Sequence, residues 1–171
     1  MEPGSEVESS KPGESPIEPT SEPPNGMYKG RVDDKGRLKL PVCFQAYIAG
    51  LPEKKLFVTS LDRRIGQLYP IRNWRGNKDF LAEFRADPKA AKRISFNAQD
   101  LGADSEMDSQ GRVQLPPELR RELGIENQTV RLYAYKGRIQ IMSEAMYEEQ
   151  KREAAVSAEE DLDTLERAGM M

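Results

Sequence analysis

Two arginines at the ends of predicted turns are the side chains of this sequence best placed for chemistry. Arg37 and Arg112 each close the motif Asp-x-x-Gly-Arg, which begins at Asp33 and at Asp108. A guanidinium in that position can pair with the aspartate of its own turn. It can also bind a phosphate, or the O6 and N7 edge of guanine in the major groove of DNA. The motif therefore indicates an internal ion pair or a contact with nucleic acid, and both alternatives stay open.

The motif is part of a longer internal repeat. Residues 33–41 read DDKGRLKLP and residues 108–116 read DSQGRVQLP, so Asp, Gly, Arg, Leu and Pro recur at an offset of 75 residues. Two copies of one supersecondary unit predict a tandem of similar modules. Each unit has about fifty residues, which is few for an independent hydrophobic core. We therefore expect the two halves to pack on each other or on other chains.

Charge distinguishes the two copies. The first arginine, Arg37, lies among four cations: Lys29, Arg31, Lys35 and Lys39. The second, Arg112, has acidic or neutral neighbours: Glu106, Ser109, Gln110 and Gln114. The net charge is +8 over residues 27–100 and −3 over residues 101–149, in a chain whose total is −3. Because cations neutralise phosphates, the sequence favours Arg37 as the arginine that reaches a partner and Arg112 as the one tied to Asp108.

The candidate DNA-binding residues are the two motifs together with cations near the first: Arg31, Asp33, Lys35, Arg37, Lys39, Asp108 and Arg112. Among them, the two aspartates have the simplest structural explanation, because an aspartate that opens a turn accepts hydrogen bonds from N–H groups two or more residues further on. The first motif is expected to dominate on DNA.

Composition excludes several classes of site. The chain has no histidine and one cysteine, Cys43, so neither a histidine-based triad nor a thiolate zinc cluster is available, and no internal disulfide can form. Asp33 and Asp34 are a poor acid–base pair, because adjacent strand residues point to opposite faces. We predict no enzymatic activity, no cofactor, no metal and no small-molecule ligand. With no signal peptide and no membrane-spanning stretch evident, a cytoplasmic protein without membrane contact is expected.

The same order of elements is predicted in both halves: a strand, the turn, a second strand, a short helix, a hairpin and a further helix. The short helices are expected at Val42–Ala49, ended by Gly50, and at Pro117–Leu123, ended by Gly124. The hairpin strands are expected at 56–61 with 65–70, and at 129–134 with 138–142. A helix over 71–85 follows the first hairpin, with Trp74, Leu81 and Phe84 on its core face.

Four segments are predicted along the chain. Residues 1–26 are acidic and nearly free of aliphatic side chains, so we expect disorder. The first repeat with its following helix spans 27–99, in which Lys89, Lys92 and Arg93 begin a connecting segment. The second repeat spans 100–149. A helical tail spans 150–171, where Ser157 and Glu160 predict a capping box.

On four stretches the sequence resembles the MraZ family of bacterial transcriptional regulators, tandem relatives of the AbrB and MazE DNA-binding barrels. These are residues 27–30, residues 33–41, Leu68-Tyr69-Pro70 with Trp74, and residues 106–120. The resemblance implies a mainly β fold with short helices (α+β), in which two tandem swapped-hairpin, AbrB-like barrel repeats form one pseudo-symmetric unit.

The resemblance also implies function. Such proteins assemble into homo-oligomeric rings and bind double-stranded promoter DNA at short, G-rich direct repeats upstream of the division and cell-wall gene cluster, mostly as repressors. A nucleoid-associated protein is then expected. The motif residues of the family correspond in this sequence to Asp33, Arg37, Asp108 and Arg112. The alternative is an antitoxin-like barrel that acts through protein–protein interaction.

Overall fold

A computed structural model describes residues 22–171, and eight strands in this part form one antiparallel sheet. The strands are β1 (Tyr28–Val32), β2 (Arg37–Lys39), β3 (Leu56–Thr59), β4 (Gly66–Pro70), β5 (Ala103–Ser105), β6 (Arg112–Gln114), β7 (Thr129–Tyr135) and β8 (Arg138–Ser143). Their order in the sheet is β5-β3-β4-β8-β7-β1-β2-β6. A bridge between Met107 and Val113 links the two ends, so the sheet is a nearly closed barrel.

The two halves build this barrel by exchanging strands. β1 of the first half pairs with β7 of the second, and β5 of the second half pairs with β3 of the first. β2 pairs with β6, so the strands that follow the two Asp-x-x-Gly-Arg turns lie side by side. The mainly β fold with tandem, swapped halves is thereby confirmed, and neither half has a barrel of its own.

Repeated apolar positions fill the barrel. Leu38 and Val113 are fully buried, as is Leu115, and Leu40 is nearly so. Phe44 and Leu119 close the core from two short helices that begin directly after Pro41 and Pro116. Burying side chains of this size contributes roughly 1.5–3 kcal/mol each. The shared core explains why units of this size need each other.

Six helices surround the sheet in residues 22–171: α1 (Val42–Ala49), α2 (Ile71–Glu83), α3 (Pro88–Leu101), α4 (Pro117–Leu123), α5 (Glu144–Val156) and α6 (Ala158–Arg167). The predicted bounds of α1 and α4 are confirmed. Trp74 on α2 is buried and stacks on Phe57 with the ring centroids 4.6 Å apart, in a second, smaller apolar cluster. None of these helices has the length and apolar character needed to cross a lipid bilayer.

The prediction of a connecting segment that begins at Lys89, Lys92 and Arg93 is wrong, because these residues lie in helix α3. Asp87 caps it by accepting a 3.0 Å hydrogen bond from the Ala90 N–H, and Pro88 begins it. Its buried face is made mainly of Ala91, Ala98 and Leu101. Alanines give a weak apolar signal in sequence, and the helix was missed for that reason.

Three further details differ from expectation. Gly50 has a right-handed backbone (φ −83°), whereas Gly124 has the expected left-handed one (φ 65°). The Ser157 hydroxyl donates to the Asp161 carboxylate (2.9 Å) and caps no backbone N–H, so the capping box does not form. The first hairpin is shorter than predicted, because the loop between its strands is held by its own bonds: the Ser60 hydroxyl donates to the Ile65 carbonyl (2.6 Å).

Of the acidic tail predicted over residues 1–26, residues 1–21 lie outside the described part. Residues 22–26 contain neither helix nor strand. Within them, the Asn25 carbonyl accepts a 3.1 Å hydrogen bond from the Tyr28 hydroxyl, which fixes the approach to β1.

Candidate nucleic-acid interface

Both Asp-x-x-Gly-Arg turns are held by the same set of hydrogen bonds. In the first, Asp33 Oδ1 accepts from the backbone N–H of Lys35 and of Arg37 (2.9 Å each), and Oδ2 accepts from Arg37 Nε at 2.8 Å. In the second, Asp108 binds the equivalent groups of Gln110 and Arg112 at the same distances. The expectation that only Arg112 is tied to its aspartate is therefore wrong: Arg37 is tied in the same way.

The two arginines are also alike in exposure. The Arg37 side chain is 30% exposed and the Arg112 side chain 24%. Each uses Nε for its aspartate, and among residues 22–171 neither arginine forms a hydrogen bond through its two Nη groups. The ion pair thus fixes the direction of each guanidinium and leaves its outer edge for a partner.

Hydrogen bonding lowers the pKa of both turn aspartates. For Asp33 the largest cause is the backbone N–H of Arg37, followed among the lowering causes by the Arg37 guanidinium and the Lys35 N–H. The same groups of Arg112 and Gln110 lower the pKa of Asp108. Both carboxylates are therefore ionised in the folded turns at neutral pH.

Strand pairing brings the two turns onto one surface. Leu38 and Val113 are opposite each other and point into the core, so their neighbours point outward. On that outer face Arg37 is opposite Gln114, and Lys39 is opposite Arg112. Residues 75 positions apart in sequence therefore share one patch, and the two motifs form one site.

Reciprocal contacts hold the two turns together. The Leu40 N–H donates to the Gly111 carbonyl (3.0 Å), and the Leu115 N–H donates to the Gly36 carbonyl (2.9 Å). The Lys39 ammonium donates to the Gln110 carbonyl, and Gln114 Nε2 donates to the Lys35 carbonyl at 3.0 Å. Lysine in the first half and glutamine in the second thus make the same bridge.

Both turn glycines are required by backbone geometry and by space. Gly36 and Gly111 have φ values of 78° and 75°. A Cβ on Gly36 would lie 2.3 Å from Cζ of Arg120, and one on Gly111 would lie 2.2 Å from Cδ of Gln45. Arg120 is a residue that sequence analysis missed. Its guanidinium lies directly beneath the first turn, and its side chain is only 14% exposed.

A row of three cations crosses the patch. Arg31 on β1 is opposite Lys39 on β2, and Lys39 is opposite Arg112 on β6. With neighbouring strands about 4.8 Å apart, the row extends over roughly 10 Å. Arg31 also bonds Asn127 Oδ1 (3.0 Å), a partner with a left-handed backbone that the sequence did not suggest.

The remaining predicted residues take different places. Lys35 lies at the tip of the first turn, where its side chain is exposed and forms no hydrogen bond with residues 22–171. Asp33 and Asp108 shape the turns, and each forms an ion pair with the arginine of its own turn, Arg37 or Arg112. Within the described chain, no group of three or more Cys, Asp or Glu side chains is arranged to hold a metal ion.

Comparison with known proteins identifies the family. Residues 102–167 match the family model described as "MraZ protein, putative antitoxin-like". A protein of Acidobacterium capsulatum is 35% identical over 105 residues, which are 61% of this chain and 72% of that protein. One of Koribacter versatilis is 30% identical over 148 residues (85% and 98%), and one of Moorella thermoacetica is 30% identical over 133 residues (76% and 87%).

All three relatives carry the name "Transcriptional regulator MraZ". The name designates regulators and not enzymes, in agreement with the absence of enzymatic activity expected from the sequence. The Koribacter match spans both halves of the chain and nearly the whole relative. The chain belongs to the MraZ family.

Proposed function

We propose that this protein is a sequence-specific DNA-binding transcriptional regulator whose DNA contact is the outer face of β1, β2 and β6. One observation carries the proposal: the row of Arg31, Lys39 and Arg112 on adjacent strands. Like charges directly opposite each other weaken a sheet. Arg112 is already paired with Asp108, but Arg31 and Lys39 form no ion pair within residues 22–171. Their juxtaposition is therefore costly to the free protein, and the cost is relieved when phosphates neutralise these two cations.

The two kinds of cation in the patch have different tasks. Arg31, Lys35 and Lys39 contact phosphates, which sets the position of the sheet on the duplex. Arg37 and Arg112 read bases, because their guanidinium groups are oriented in advance by Asp33 and Asp108. An arginine held in this way presents two donors to guanine O6 and N7 in the major groove, which is wide enough for a two-stranded ribbon.

The finer function is the one that the resemblance to the MraZ family implies. The protein represses transcription by binding short, G-rich direct repeats upstream of the division and cell-wall gene cluster, as a nucleoid-associated protein of the cytoplasm. Guanine-rich targets suit two arginine readers. Repeated sites suit a protein that self-associates into a ring, because several weak contacts made at once give high affinity.

A salt titration of DNA binding tests the proposal. Fluorescence anisotropy compares a duplex from upstream of the protein's own gene with a scrambled duplex of equal base composition, over a fourfold range of salt. We expect tighter binding to the natural duplex and a linear fall of log K with log salt. Equal affinity for both duplexes would contradict the proposed sequence specificity, and binding that does not depend on salt would contradict the proposed phosphate contacts.

A second candidate function is that of an antitoxin-like barrel acting through protein–protein interaction. The family description favours it, and so does the acidic, exposed helix α6. This candidate predicts that residues of the cation row can be neutralised without loss of cellular function. Repression of a promoter reporter by the wild-type protein, and its loss in Arg31→Gln with Lys39→Gln, would reject it.

A further inference from the structure

Helix α6 presents an apolar stripe that its own chain does not cover. It buries none of its residues, and Leu162 and Leu165 are 48% and 53% exposed. They are three positions apart, so they lie on one side of the helix. Carboxylates flank this stripe on both edges, Asp161 on one side and Glu159 with Glu166 on the other. An apolar stripe between acidic edges is suited to a partner with the opposite charge pattern.

Helix α3 presents that opposite pattern. Phe96 is 66% exposed and lines a groove of about 470 Å³ together with Lys89, Lys92, Arg93 and Asn97. Lys92 and Arg93 precede Phe96 by four and three residues, so they flank the ring on its two sides. Across residues 22–171, Lys89, Lys92 and Arg93 form no ion pair.

We propose that α6 of one copy docks into the α3 groove of a second copy of this chain. Leu162 and Leu165 would cover Phe96, and the flanking carboxylates would pair with Lys92 and Arg93. In one chain both surfaces are exposed at the same time, so α6 does not occupy its own groove. Charge complementarity selects the occupant, because the two patterns match on both edges of the stripe.

This contact gives self-association a geometry, and it rests on the proposed ring. The donor surface on α6 and the acceptor surface on α3 are different, so the contact is heterologous, and a closed ring satisfies it in every copy. A ten-residue helix buries little area on its own. Closure adds strength, because each copy is held by one contact as donor and another as acceptor.

Charge reversal tests the docking. The groove variant is Lys92→Glu with Arg93→Glu. The helix variant reverses both edges of the stripe with Glu159→Lys, Asp161→Lys and Glu166→Lys. A matched control, Glu148→Lys with Glu153→Lys and Glu160→Lys, makes the same charge change away from the stripe. Light scattering after size exclusion measures the mass at micromolar concentration. We expect both variants to dissociate, with association weakened by at least about tenfold, while the control keeps the wild-type mass.

Combining the groove and helix changes in one chain should restore the wild-type mass, because the charges again match. If both reversed variants keep that mass, or if the combination fails to restore it, the docking is wrong and self-association uses other surfaces. A monomeric wild-type protein would overturn both the docking and the ring. A groove variant of unchanged mass that loses DNA affinity would make the α3 groove a DNA contact instead.

A disulfide trap separates contact between chains from contact within one. Phe96→Cys and Leu162→Cys are placed on separate, co-expressed chains that also carry Cys43→Ser. Oxidation should link the two chains to each other, and neither chain alone should form the linked pair. No linked pair would contradict the docking. A chain carrying both cysteines that closes on itself as a monomer would show that α6 occupies its own groove.

Discussion

Lys39→Gln gives the sharpest test of the cation row, because the second half of the chain already shows what glutamine does at this position. Gln114 is the equivalent residue, and its Nε2 bonds the carbonyl at the tip of the opposite turn at 3.0 Å. A glutamine at position 39 can make the same bond to the Gln110 carbonyl that Lys39 now makes. The substitution therefore removes one cation and keeps the contact between the turns.

Two opposite effects are expected from this change. Lys39 lies opposite Arg31, and Arg112 on its other side is paired with Asp108, so its removal relieves mainly the repulsion with Arg31 and should leave the free energy of unfolding unchanged or raise it by up to about 1 kcal/mol. DNA binding should weaken. Losing one phosphate contact lowers the salt slope by about 0.9 per engaged subunit, which is a factor of about 3.5 in affinity over a fourfold rise in salt.

The assays are urea unfolding and anisotropy with promoter DNA at several salt concentrations. Gln114→Lys is the matched control: it adds a cation at the equivalent position and should steepen the salt slope by a similar amount. A Lys39→Gln protein that is less stable and binds DNA with an unchanged salt slope would refute the argument. Lys39 would then be a structural bridge and not a phosphate contact.

The other predictions concern the turns. Arg37→Ala and Arg112→Ala should each weaken specific DNA binding by about 1–3 kcal/mol per engaged subunit, with the larger loss at Arg37, whose turn also carries Lys35. DNA affinity is measured for both variants, with oligomer mass as the control. If Arg112→Ala changes the mass but not the affinity, Arg112 serves assembly alone. Lys35→Ala should weaken binding to all sequences equally; a loss confined to one base position would make Lys35 a base reader. Gly36→Ala should lower the free energy of unfolding by about 1–3 kcal/mol, because its φ is 78°, whereas Gly76→Ala, in open space on α2, should not lower it; equal urea midpoints would show that the turn adapts.

The lowered pKa of Asp33 and Asp108 fixes what happens in acid. Because the folded pKa lies below the unfolded value of about 3.9, these carboxylates stabilise the turns above that pH and stop doing so as the pH falls through the folded value. Acid unfolding followed by circular dichroism should therefore shift to higher pH in Asp33→Asn. An unchanged acid transition would mean that the turn bonds contribute nothing to stability.

Local signals in the sequence predicted the elements near the site. Pro41 and Pro116 mark where α1 and α4 begin. The spacing of the apolar residues within each helix determines which of its faces is buried. The repeated Asp-x-x-Gly-Arg motif predicted the turns, because an aspartate at its first position accepts hydrogen bonds from nearby backbone N–H groups and a glycine can adopt a positive φ. Such features depend on neighbours within a few residues.

The surface itself could not be predicted in the same way. The row of Arg31, Lys39 and Arg112 depends on the pairing of β2 with β6, strands from different halves. Considered alone, the second turn was predicted to be structural, because the neighbours of Arg112 in sequence are acidic or neutral. Once the two turns share a face, Arg112 lies beside Lys39, and the charge of one half supplies the site of the other.

The two halves differ clearly on the outer face of the barrel, where helices pack against it. Phe57 pairs with Asp104 and Arg131 pairs with Lys29, so Phe57 and Arg131 are equivalent in the barrel. In the first half Phe57 stacks on Trp74, and α3 seals this contact with Ala98. In the second half the Arg131 guanidinium lies 4.1 Å from the centre of the Tyr147 ring, and α5 buries none of its residues. A dry, sealed outer face anchors α2 and α3 to the first half, whereas a charged, solvated one holds α5 by a polar contact. The half with several cations at its turn thus also carries the groove on α3, and the half with fewer carries the acidic helix whose charge pattern fits that groove.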